Sequence, residues 1–134
     1  MPPLKTYIVE DSPVIRESLI ATLEELGPVQ VVGHADDEAG AVQWLARPDS
    51  AADLVIVDLF LRNGSGLGVL RAGAGLAPRR SMVVLSNYAT DPVRRQCLAL
   101  GADRVFDKSN DIDALLAYCD ELAASGHARD PGRP

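Results

Sequence analysis

The sequence predicts an α/β protein built as a doubly wound, five-stranded parallel sheet with helices on both faces. Three observations carry that expectation. Short apolar runs alternate five times with stretches of helical periodicity along the 134 residues. One run, Leu54-Val55-Ile56-Val57, is apolar throughout, as a strand covered on both faces must be. The last stretch places Ile112, Leu115, Leu116, Cys119, Leu122 and Ala123 in one continuous stripe at helical spacing. Parallel neighbours need crossover connections, and the intervening helices supply them with the usual right hand.

Leu4 to Val9 reads as the first strand, stopping at Glu10-Asp11. Ser12-Pro13 then starts a helix, since serine caps and proline is pre-shaped for a first turn. Ile15, Leu19, Leu23 and Leu26 recur on one face of it, and Gly27-Pro28 ends it. Val29 to His34 is the second strand, and Asp36-Asp37 opens a helix with Val42 and Leu45 on one side. The third strand runs from Asp53 to Val57 and ends in Asp58. A glycine-rich stretch from Gly64 to Leu76 predicts a weak helix. Ser81 to Leu85 forms the fourth strand, ending at Ser86. Thr90-Asp91-Pro92 starts a helix with Val93, Cys97 and Leu100 inward, Arg94 and Arg95 outward, and Gly101 as its stop. Arg104 to Phe106 is the fifth strand, reaching Lys108, before the striped final helix. The expected organisation is one domain over residues 1–125, a polar flexible C-terminal tail over 126–134, and no output domain.

Composition narrows the function. Hydrophobic residues make up 47% of the chain and charged ones 24%, enough for a real core under an ordinary polar surface. A formal charge of −6 disfavours nucleic acid and anionic membranes as partners and favours a cation or a basic protein surface. Residues 126–134 are too few for a helix-turn-helix unit, so no DNA binding is expected within this chain. No apolar run reaches the roughly 18 residues a membrane span needs, and the N-terminus lacks a signal-peptide core, so a cytoplasmic location is expected. Cys97 and Cys119 fall inside helical patterns with no CxxC or Cys/His cluster, and read as reduced core residues.

In a doubly wound sheet, ligands sit outside the carboxyl ends of the strands. Those ends carry Glu10-Asp11, Asp58, Ser86 and Lys108. Three carboxylates on one rim repel one another, which raises pKa values and costs stability unless a cation sits among them. An oxygen-only donor set suits a hard divalent ion, and Mg²⁺ held by one or two carboxylates implies phosphate oxygens as further ligands. A serine hydroxyl and a mobile lysine charge suit those oxygens, which leaves Asp58 as the acceptor. Taken singly, each residue has a plainer reading. Glu10-Asp11 can be a capping turn, Ser86 a strand end and Lys108 a solvated lysine, whereas a carboxylate straight after four apolar strand residues costs several kcal/mol if buried unpaired. Their joint arrival at successive strand ends is the argument for a site.

From about residue 4 to residue 124 the chain resembles the receiver domain of two-component response regulators. The resemblance rests on Ile8-Val9-Glu10-Asp11-Ser12-Pro13, Leu54-Val55-Ile56-Val57-Asp58-Leu59, Val83-Val84-Leu85-Ser86, and Gly101-Ala102-Asp103 leading to Lys108. It implies a flavodoxin-like sheet in the order 2-1-3-4-5. It also implies that Asp58 takes a phosphoryl group from a sensor histidine kinase or a histidine phosphotransfer protein. Asp11, Asp58 and the backbone carbonyl of Phe60 would bind Mg²⁺, with Glu10 assisting through water, while Ser86 and Lys108 bind the phosphoryl oxygens. The output would pass to an unidentified downstream protein, the receiver standing alone.

The sequence departs from that pattern in two places. Val105 stands where receivers commonly carry Tyr or Phe, three residues before the lysine, with Phe106 and Tyr88 as nearby substitutes for the missing ring. Asn87 replaces the small residue usual after the hydroxyl position. Phe60 and Tyr88, two positions beyond Asp58 and Ser86, are expected to shield the acyl phosphate and lengthen its life. An alternative supported by Val105 and Asn87 is a receiver-like module that binds proteins without being phosphorylated. A phosphatase with an aspartate nucleophile would want a second Asp two positions on, where Phe60 stands. Gly64-Ser65-Gly66-Leu67-Gly68 lacks both the dinucleotide spacing and a Walker lysine, and reads as a loop and helix start.

Overall fold

The computed structural model describes residues 3–76 and 80–125; the tail expected over 126–134 lies outside the described residues. In chain order the elements are β1 (Leu4–Val9), α1 (Pro13–Leu26), β2 (Val29–Ala35), α2 (Glu38–Ala46), β3 (Leu54–Val57), α3 (Gly66–Ala74), β4 (Ser81–Ser86), α4 (Asp91–Ala99), β5 (Arg104–Asp107) and α5 (Ile112–Ala124). The strands form one five-stranded sheet in the order β2-β1-β3-β4-β5, with all four neighbouring pairs parallel. Both the strand order and the doubly wound architecture agree with the sequence reading.

Alternate side chains of each strand face opposite ways, so the sheet divides the core in two. Tyr7, Val9, Val55, Val57, Met82, Val84 and Val105 pack on one face with Leu45, Leu70 and Cys97 of α2, α3 and α4. Leu4, Ile8, Leu54, Ile56, Val83, Leu85 and Phe106 pack on the other with Leu19 and Leu23 of α1 and Leu115 and Cys119 of α5. Each fully buried aliphatic side chain contributes about 1.5–3 kcal/mol, and β3, buried along its whole length, is the centre of both layers. Both cysteines are free and buried.

Local chemistry sets the helix starts. Ser12 Oγ accepts the Ile15 N–H at 3.3 Å with Pro13 in the first turn of α1, and Asp37 Oδ1 accepts the Gly40 N–H at 2.8 Å at the start of α2. Two readings need correction. Ile15 and Leu26 are 41% and 67% exposed, because the sheet beneath α1 covers only its middle, where Leu19 and Leu23 sit. Arg94 turns inward and is half-buried: its Nε donates to the Ala89 carbonyl at 3.0 Å and its Nη1 to the Val105 carbonyl at 2.7 Å.

Candidate phosphoacceptor site

Register brings the predicted residues together. Val9 lies opposite Val57 and Val57 opposite Val84, so β1, β3 and β4 end along one rim. The Asp58 N–H extends this ladder to the Val9 carbonyl at 3.0 Å, and the Glu10 N–H reaches the Ala35 carbonyl at 3.0 Å. Ser86, the last residue of β4, pairs with Asp107, and its carbonyl takes the Lys108 N–H at 3.1 Å. The backbone has therefore fixed Glu10, Asp11, Asp58, Ser86 and Lys108 at the carboxyl edge before any side-chain contact is considered.

The side chains then converge. Lys108 Nζ donates to Asp58 Oδ2 at 2.8 Å and to Glu10 Oε1 at 2.7 Å, with all three side chains largely out of solvent. Burial pushes the Glu10 carboxyl pKa up, and the hydrogen bond from Lys108 works against that rise. Burial pulls the Lys108 pKa down, but its bonds to Asp58 and Glu10 outweigh it and hold the ammonium above the usual lysine range. The repulsion expected among three acids is thus answered in part by a cation from β5. Glu10, Asp11 and Asp58 still present one oxygen each, all within 4.8 Å of one another. That oxygen-only cluster fits a hard divalent cation. Ser86 is fully buried, and its Oγ accepts the Tyr88 N–H at 3.2 Å.

The family model described as response regulator receiver domain matches residues 6–120. The chain belongs to the response regulator receiver family. Receivers of this family work in two-component signalling, are phosphorylated on an aspartate by histidine kinases or phosphotransfer proteins, and bind Mg²⁺ in an acidic pocket. The receiver is 30% identical to protein-glutamate methylesterase/protein-glutamine glutaminase 5 of Anaeromyxobacter dehalogenans, a match covering 98% of this chain and 38% of that protein. It spans similarly small shares, 35% and 48%, of two further curated relatives. Its fold superposes with a TM-score of 0.81 on a LuxR-family two-component response regulator from Aurantimonas sp. SI85-9A1, at 22% identity over 92% of this chain and 86% of that one. A response regulator from Burkholderia pseudomallei, solved with a phosphorylated aspartic acid, a calcium ion and citrate, is 25% identical with a TM-score of 0.74, over 96% of this chain and 75% of that one.

Around the receiver's acidic cluster, two exposed rings meet. Phe60 and Tyr88 pack edge to face with centroids 4.9 Å apart. Each is tied through its own backbone to a site side chain, since the Phe60 N–H donates to Asp58 Oδ1 at 3.3 Å and the Tyr88 N–H to Ser86 Oγ. Val105 is buried on the opposite side of β5 from Phe106, whose ring lies 6.1 Å from that of Tyr118 against α5. Phe106 therefore cannot stand in for a ring at position 105, because adjacent strand residues face opposite layers. Tyr88 is engaged with Phe60.

Sequence reasoning missed Arg16 and Gly66. Arg16 Nη1 donates to the Glu10 carbonyl at 3.2 Å and to Asp36 Oδ1 at 2.8 Å. Its place three residues before buried Leu19 was the available signal: a cation on the inward stripe of a helix rather than on the solvent face. Gly66 lies so close to the backbone after β3 that a methyl group there would collide with the Asp58 carbonyl and come within 2.8 Å of Leu59 Cα. A glycine inside a turn signal does not reveal what approaches it.

Proposed function

We propose that this receiver takes a phosphoryl group on Asp58 from a phosphohistidine of a sensor kinase or phosphotransfer protein in the cytoplasm. Residues 1–125 act as the phosphoacceptor unit, and the output passes to a partner protein. The observation that carries this reading is the meeting of Lys108 Nζ with Asp58 Oδ2 and Glu10 Oε1 inside a cluster whose third acid is Asp11. That meeting supports a carboxylate acceptor with a cation beside it at one sheet edge, where Glu10, Asp11 and Asp58 each offer one oxygen to a metal ion. Asp11, Asp58 and the Phe60 carbonyl would hold Mg²⁺, with Glu10 assisting; when bound, the ion neutralises charge on the transferring group.

The chain's own residues account for the rest. Asp58 forms the new P–O bond as the donor's P–N bond breaks, and its backbone tie to Val9 keeps the carboxylate in line. Lys108 exchanges carboxylate oxygen for phosphoryl oxygen, an easy change for a compact ammonium on a flexible stem. Ser86 is drawn towards the new anion, and Tyr88, bonded to its Oγ, moves with it. A second reading, a module that binds partners without phosphorylation, is favoured by Val105, which offers no ring to report the change. Incubation with acetyl phosphate and Mg²⁺, followed by intact mass, separates the two. The phosphoacceptor gains one phosphoryl mass unless EDTA is present; no gain under conditions that modify another receiver overturns the reading.

A further inference from the structure

We infer that Arg16 is the positioning residue of the metal site, fixing the turn that carries Asp11. This rests on the proposed metal binding by Asp11 and Asp58 and names the group that orders it. Asp11 hangs between two tethered neighbours: the Ser12 N–H donates to Glu10 Oε2 at 3.1 Å, and the Glu10 carbonyl, whose peptide leads directly into Asp11, accepts Arg16 Nη1 at 3.2 Å. Among the described residues no hydrogen bond restrains the Asp11 carboxylate itself, so its aim depends on that peptide. Arg16 in turn is anchored by Asp36 at 2.8 Å, at the end of the neighbouring strand β2.

The arrangement is costly for a purely structural residue. The Arg16 side chain is only 12% exposed, and its Nε is buried with no protein partner among the described residues. Burying a guanidinium with an unmade hydrogen bond costs stability that an aliphatic residue at this helical position would not. What the guanidinium provides instead is one nitrogen, Nη1, that bonds both the Glu10 carbonyl just after β1 and Asp36 just after β2 and so joins the two strand ends. Such outer partners of metal ligands commonly change metal affinity by roughly 10- to 100-fold when removed. The same nitrogen holds the exposed Asp36 carboxylate.

The sign of one measurement decides the matter. Taking a cation away from an acidic cluster can only favour binding of another cation on charge grounds. A loss of affinity therefore reports lost geometry. Free Mn²⁺ is counted by electron paramagnetic resonance during titration of unphosphorylated wild type, Arg16→Met and Arg16→Lys, each checked for native circular dichroism. Wild type binds with Mg²⁺ competing; Arg16→Met binds roughly tenfold more weakly, and Arg16→Lys, which keeps the charge but sets a shorter, freely rotating ammonium in place of the planar guanidinium, is also weakened. Affinity in Arg16→Met equal to or tighter than wild type overturns the inference. If that variant fails to fold, wild-type affinity in Arg16→Lys overturns it. Failure of wild type to bind any metal instead overturns the proposed metal site on which the inference rests.

Discussion

Lys108 and Asp58, fifty positions apart in the chain, meet at 2.8 Å between Nζ and Oδ2, and the same ammonium lies 2.7 Å from Glu10 Oε1. One cation from the end of β5 thus spans the ends of β1 and β3. The contact couples the stability of the sheet's carboxyl edge to the state of the site, since any ligand that competes for Asp58 or Glu10 also competes with Lys108.

Removing that cation leaves three acids facing one another. Lys108→Ala is expected to lower stability by about 2 kcal/mol, less than for a fully buried pair because the rim retains some solvent. Added Mg²⁺ should recover part of the loss. Urea unfolding with and without Mg²⁺ measures both, and a variant whose stability ignores Mg²⁺ would contradict the account of the acidic cluster.

The Phe60–Tyr88 pair flanks the aspartate. Phe60→Asn and Tyr88→Glu are each expected to speed loss of the phosphoryl group several-fold by opening a path for water. Because the rings form a single contact, the double variant should fall short of the product of the two. Decay followed by intact mass after donor removal gives the rates; unchanged decay in both single variants sinks the shielding role.

Gly66 must remain without a side chain. Gly66→Ala pushes a methyl group against the Asp58 carbonyl, with backbone on both sides of the collision and no flexible atom to yield. The expected cost is about 2–3 kcal/mol, together with slower phosphorylation, because the displaced peptide bears the acceptor. Gly75→Ala, where the methyl group would lie 3.8 Å from the Ala72 carbonyl, is the control. Equal stability of the two variants would refute the close approach.

Alkaline pH should unfold the protein by way of two buried groups. Burial pushes the Tyr7 phenol from the usual 10.0 up to about 12. It pushes the Cys119 thiol from 9.0 to about 12, with Asp120 adding to the rise. The native state therefore holds both protons more tightly than the unfolded chain does. The resulting stability is complete below the unfolded values and is lost as pH climbs towards 12. Melting temperature should fall across that window, less steeply in Tyr7→Phe. A flat wild-type profile would contradict the burial argument.

Much of this was legible in the sequence. Apolar runs bounded by turn residues located every strand, and a single rule, that polar residues at carboxyl ends share an edge, assembled Glu10, Asp11, Asp58, Ser86 and Lys108. What escaped were the long side chains that leave one element for another. Arg16 and Arg94 each sit three residues before a buried helical residue, Leu19 and Cys97, which places them beside the core. Their partners, Asp36 and the Val105 carbonyl, belong to other elements, and helical periodicity carries no information about those. The same limit explains Ile15 and Leu26: a period identifies the inward face but not how far along the helix the sheet extends. Ile15, with Val14 beside it, remains exposed at the site end of α1.

The central claim is that Asp58 carries the phosphoryl group, and hydride trapping tests it most directly. Borohydride reduces an aspartyl phosphate at its carbonyl, releasing phosphate and leaving homoserine, which peptide sequencing by mass spectrometry locates. After treatment with acetyl phosphate and Mg²⁺, homoserine is expected at position 58, and EDTA should prevent it. Homoserine at another acid, or a phosphoryl mass gain with unmodified Asp58, would contradict the assignment.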